Sequence, residues 1–174
     1  MNITAKNKGF TLIELLIVMA ILGVLAVVVL VAINPVQQLA RTRDAGRKSG
    51  VSQLGRAMEA YYTSHGGSYV NETATAAWIN VLVGAGELSV VPTGINAGVS
   101  GYTGCVESAH SSWCYDSNDD AGGEPVVVFT ELESESEMSK CSGSRAYFVW
   151  STADGRGGLV CTTAPTPGTQ TFVD

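Results

Sequence analysis

The chain has 174 residues, 45% of them hydrophobic and 15% charged, with a net charge of −6. That length predicts one domain with enough residues for a small core beyond the N-terminal apolar segment. The charge is unevenly placed: residues 1–56 hold seven of the ten Lys/Arg and two acids, whereas residues 57–174 hold three Lys/Arg and fourteen acids. Phosphate contacts need clustered cations, so the acid-rich part excludes nucleic acid as a partner of that region.

The first nine residues form a short polar leader carrying Lys6 and Lys8 and ending in Gly9. Residues 15–33 follow as nineteen positions without a charge or a strongly polar side chain. As a helix rising about 1.5 Å per residue, such a run crosses a hydrocarbon core of roughly 30 Å. One acid, Glu14, stands at its mouth. An ordinary secretory signal carries its small-residue cleavage site after the apolar run. Here the small residue precedes it, so cleavage would leave the apolar helix on the product.

The segment Gly9-Phe10-Thr11-Leu12-Ile13-Glu14 resembles the processing site of type IV prepilins and pseudopilins. The resemblance implies that a prepilin peptidase cuts after Gly9 and methylates the new N-terminal residue, Phe10. It also implies that Glu14 pairs with the amine of a neighbouring subunit's Phe10 during assembly. An intrachain contact between Glu14 and the chain's own Phe10 amine, or snorkelling of Glu14 to water, is the alternative. A carboxylate at a bilayer edge is costly unless it is paired or reaches water, so either partner has a physical reason to exist.

Asn34-Pro35 comes next. Asparagine suits an N-cap and proline the first helical turn, so a second helix, or a kink in one long helix, is expected there. From residue 35 to 64 the apolar positions Val36, Leu39, Ala40, Val51, Leu54, Ala57, Met58 and Tyr61 recur at spacings near three and four, the pattern of an amphipathic helix. Gly46, Gly50 and Gly55 weaken that helix unless close packing or bending requires them. Arg41, Arg43, Arg47 and Lys48 form a basic band suited to lipid headgroups or to acids of neighbouring subunits, with Asp44 and Glu59 as local partners. Gly66-Gly67 ends the helix.

Beyond it, residues 75–84 read as a short helix and 113–115 as a short strand. Residues 126–132 and 145–152 read as strands, 154–158 as a turn and 159–163 as the returning strand. Glu131, Glu133, Glu135 and Glu137 alternate as on one face of a strand and suit an exposed edge or loop. The order resembles the pilin fold: α+β, a long N-terminal hydrophobic and amphipathic helix packed on a small antiparallel β-sheet head. The expected division is residues 1–9 as the removed leader, 10–64 as the helix and 65–174 as the head. Within the helix, 10–33 is transmembrane or filament core and 35–64 is amphipathic.

Cys105, Cys114, Cys141 and Cys161 all follow the apolar helix, which predicts two disulfides in an oxidising compartment. Three pairings are open; the short separation favours Cys105 with Cys114, leaving Cys141 with Cys161. These cysteines and the prepilin-type leader orient the chain, with the leader in the cytoplasm and the head outside. Asp116, Asn118 and Asp120 place oxygen ligands on alternate residues, as at the opening of a calcium loop. Ala121 and Val127 then break that pattern, so no cofactor is expected and calcium is the alternative. No G-x-S-x-G, P-loop or dinucleotide fingerprint is present, and no enzymatic activity is expected.

These readings converge on a structural subunit of a type IV pilus, a homopolymer served by prepilin peptidase and the pilus assembly machinery. The subunit would reside in the cytoplasmic membrane before assembly and in an extracellular filament afterwards. A pseudopilin of a type II secretion or competence system is the alternative, followed by a monomeric membrane-anchored adhesion or binding module.

Overall fold

Asn34 interrupts the N-terminal helix. In the computed structural model, which describes residues 9–71, 78–93, 113–118 and 125–173, α1 spans Leu12–Ile33 and α2 spans Pro35–Ser64. Asn34 between them is left-handed, with φ 45° and ψ 75°. Proline disfavours the helical region for the residue before it and has no amide to donate, so a break at this dipeptide follows from covalent structure. Asparagine tolerates the left-handed conformation better than most residues. The Asn34 carbonyl accepts from the Gln37 and Gln38 amides at 3.1 and 3.3 Å and so starts the next helix.

The chain divides into two units, Met1–Gln38 and Leu39–Asp174. In the first, no residue of α1 is buried. The second contains α3 (Trp78–Gly84), α4 (Glu135–Met138) and a five-stranded antiparallel sheet. The strands are β1 (Cys114–Ser117), β2 (Val126–Glu131), β3 (Arg145–Ser151), β4 (Arg156–Thr162) and β5 (Phe172–Val173). They lie side by side in chain order. The register sets Cys114 opposite Phe129, Phe129 opposite Val149, Tyr147 opposite Val160 and Leu159 opposite Val173.

The sheet is apolar on both faces, which explains why β2 reads as an unbroken hydrophobic run rather than an alternating one. Val126 and Val128 pack with Val51, Leu54 and Met58 of α2 and with Trp78, Ile79 and Leu82. Val127, Phe129, Tyr147, Val149 and Val160 form a second cluster. Each large side chain so buried contributes about 1.5–3 kcal/mol. Tyr115 is fully buried, and its hydroxyl donates to the Val70 carbonyl at 2.7 Å.

Two glycines of α2 serve close packing. A Cβ on Gly50 would lie 2.2 Å from the Trp113 ring, and one on Gly55 would lie 2.1 Å from the Trp150 ring. Trp150 also donates its indole N–H to Glu59 at 3.1 Å.

Three expectations need correction. The apolar face of α2 starts at Ala40: Val36 and Leu39 are exposed, and Asp44 and Arg47 fill the inward positions before Val51. Residues 154–158 are not all turn, because Arg156, Gly157 and Gly158 already belong to β4. There the rings of Trp150, Phe148 and Phe172 cover the two glycines and occupy the space their side chains would fill. The four alternating glutamates do not share a strand face. Glu131 ends β2, Glu133 lies in the connection, and Glu135 and Glu137 are in α4.

Candidate functional site

Phe10 is 81% exposed at the start of the apolar helix. Gly9, Phe10, Thr11 and Glu14 line one shallow concavity. Thr11 is extended, with φ −84° and ψ 150°, and is the N-cap of α1. Its Oγ1 accepts from the Glu14 amide at 3.3 Å. In return, Glu14 Oε2 accepts from the Thr11 amide at 2.9 Å and from the Thr11 hydroxyl at 2.7 Å. This reciprocal capping box satisfies helix-terminal N–H groups that would otherwise lack partners, and it fixes the carboxylate in the first turn, where the helix dipole favours an anion.

The sequence reading missed Thr11, although its signal was present: Thr-x-x-Glu directly before an apolar run is a helix start. Behind it, the 22 residues of α1 are exposed on every side. A water-exposed surface of that kind is untenable, so α1 belongs in a lipid or protein surround. The helix is long and apolar enough to cross a membrane.

Three of the four cations in the basic band of α2, Arg43, Arg47 and Lys48, are used within the head. The Asp44 and Arg47 side chains are buried, and Arg47 Nη1 donates to Asp44 Oδ1 at 2.7 Å. Asp44 Oδ2 accepts from the Ser134 amide at 2.8 Å, and Oδ1 accepts from the Glu133 amide at 3.1 Å. Ser134 is the N-cap of α4. One buried carboxylate therefore ties α2 to the turn preceding α4. Glu133 pairs with Arg47 at 3.2 Å and with Arg43. The hydrogen bond to Glu133 holds the Arg43 guanidinium above its ordinary pKa, helped by the charges of Glu133 and Asp44. Lys48 Nζ reaches Glu137 Oε1 at 2.6 Å. Of the expected local partners, Asp44 is used and Glu59 is turned to Trp150. The glutamates that pair with this band lie 85 or more positions away along the chain, beyond any helical spacing rule.

Cys141 and Cys161 form a disulfide with Cα atoms 5.2 Å apart. It joins the segment after α4 to β4, beside Leu132, Ala146 and Leu159. Cys114 is disulfide-bonded, and Cys105 lies outside the described residues. Asp116 is in β1 opposite Val127, and Asn118 follows that strand. Asp120 lies outside the described residues. Among the described residues, no three His, Cys, Asp or Glu side chains are grouped to hold a metal.

The leading segment matches the family model described as the prokaryotic N-terminal methylation motif, over residues 4–30. Over 136 residues the chain is 34% identical to the fimbrial protein EcpC of Eikenella corrodens, covering 66% of this chain and 86% of that protein. The chain belongs to the type IV pilin family. No solved structure matches this pilin significantly. The motif and the exposed apolar helix agree with membrane anchoring of this pilin-type subunit.

Proposed function

We propose that this pilin is the structural subunit of a type IV pilus, polymerising into a cell-surface filament through α1. The observation that carries the proposal is the pairing of a fully exposed apolar helix with a carboxylate fixed at its first turn. A bilayer satisfies the helix, whereas the acid at its edge then depends on water or a cation. A bundle of copies satisfies both, because each cut chain brings a cationic amine on Phe10.

In this reading prepilin peptidase removes residues 1–9 and methylates Phe10. Both Thr11 bonds fall on Glu14 Oε2, so Oε1 is available to a neighbour's amine. Such a buried pair penalises any axial misplacement, since a shifted subunit leaves a charge unmatched. The head lies outside the cytoplasmic membrane, where its disulfides persist. The relative's name, a fimbrial protein, supports a pilus over the shorter filament of a pseudopilin. Membership of a family of structural subunits supports the absence of catalysis.

Glu14→Ala expressed in the native host tests the proposal. Normal membrane levels with few or no filaments are expected. Normal filaments at normal abundance would show the carboxylate to be dispensable, and the reading would fail.

A further inference from the structure

The outward face of α2 is where charge is left over. Of the four cations in its basic band, Arg43, Arg47 and Lys48 are committed to Glu133 and Glu137. Arg41 is exposed and makes no ion pair or hydrogen bond with any described residue. Along the same exposed side run Ala45, Ser49, Gln53 and Arg56. Arg56 lies against the Trp150 ring, 5.9 Å from its centroid. No exposed residue of α2 is an acid, because Asp44 is buried and Glu59 is half-buried on Trp150.

The remainder of the chain has the opposite imbalance. After Arg56 it carries fourteen acids and three cations. Those three are already engaged: Lys140 with Glu137, Arg145 with Glu131, and Arg156 over the Phe172 ring. Fourteen acids against three cations therefore leave the chain after Arg56 with a net negative charge that its own cations do not balance.

We infer that the outward face of α2, from Arg41 to Arg56, is an intersubunit surface that receives the acid-bearing head of a second copy of this chain. The inference rests on the filament reading above. Packing identical acidic heads side by side is repulsive unless each interface contributes countercharge, and this acid-free face supplies it. Ala45 and Ser49 are small and leave room for close approach between the two arginines. A lipid surface is a poorer occupant: recognition of anionic headgroups takes a cluster of about four to eight cations. Here two arginines stand fifteen residues apart on one helix, about 22 Å along its axis.

The test combines charge reversal with crosslinking in full-length protein made in a piliated host. Arg41→Glu should lower filament yield by about tenfold or more, as like charges meet at the interface. Membrane level and disulfide state should stay normal, and Arg41→Lys should restore yield. A photo-crosslinking amino acid at Ala45 should give a self-adduct in filaments, mapping to residues 57–173 of the second copy. Wild-type yield from Arg41→Glu would overturn the inference, as would adducts confined to lipid or to another protein. If Arg41→Glu fails to fold, the Ala45 adduct decides alone. Absence of filaments from the wild-type chain would defeat the filament reading itself; unaltered assembly of the variant would defeat only this surface.

Discussion

The Asp44 carboxylate accepts the backbone amide of Ser134 at 2.8 Å, ninety positions along the chain. Together with Arg47, it makes a buried ionic joint between α2 and the turn leading into α4. The joint and the Cys141–Cys161 bridge secure α4 from two sides: α2 holds its start, and β4 holds the segment that follows it.

Asp44→Ala should destabilise the protein by about 3–5 kcal/mol, because it leaves the buried Arg47 guanidinium without its closest countercharge. Asp44→Asn should cost less, since the amide oxygen still accepts from one backbone N–H. Urea unfolding of the full chain in detergent measures both. Equal midpoints for wild type and Asp44→Ala would show the joint to be energetically idle.

Gly55→Ala offers a test whose sign is unusual. In an exposed helix the change stabilises by up to about 1 kcal/mol. Here the new methyl meets the Trp150 ring at 2.1 Å, so overpacking of about 1–3 kcal/mol should dominate. Thermal unfolding followed by tryptophan fluorescence should show a lower midpoint. Trp150→Leu in the same chain should relieve part of the loss.

Replacing both Cys141 and Cys161 with serine should cost about 2–4 kcal/mol, the usual range for a native bridge. The sequence separation is 20 residues, so a moderate loop is released. Limited proteolysis should then cut first within residues 132–144, between β2 and β3. An unchanged cleavage pattern would contradict the idea that this bridge restrains α4.

The N-terminal part was open to sequence reasoning because its signals are local. An uncharged run of membrane length, Glu14 at its mouth and Asn34-Pro35 at its end each act within a few residues. The strands β2 and β3 were legible from their β-branched and aromatic residues. The joint at Asp44 was not, because Glu133 and Glu137 reach α2 only once the sheet has formed, and no spacing rule spans that distance. Gly157 and Gly158 misled for a related reason: they resemble a turn until Trp150, Phe148 and Phe172 are seen to cover them. Val36 and Leu39 fit the helical period of the core, yet the head starts to bury α2 only at Ala40.

The central claim is that this chain, cut at Gly9, is the repeating unit of a filament. Intact-mass and N-terminal sequence analysis of filaments sheared from the native cell surface tests it most directly. The account predicts that the main subunit begins at N-methylated Phe10 and ends with the head still disulfide-bonded. Filaments in which this chain is absent, or a native protein that keeps residues 1–9 as its dominant form, would contradict it.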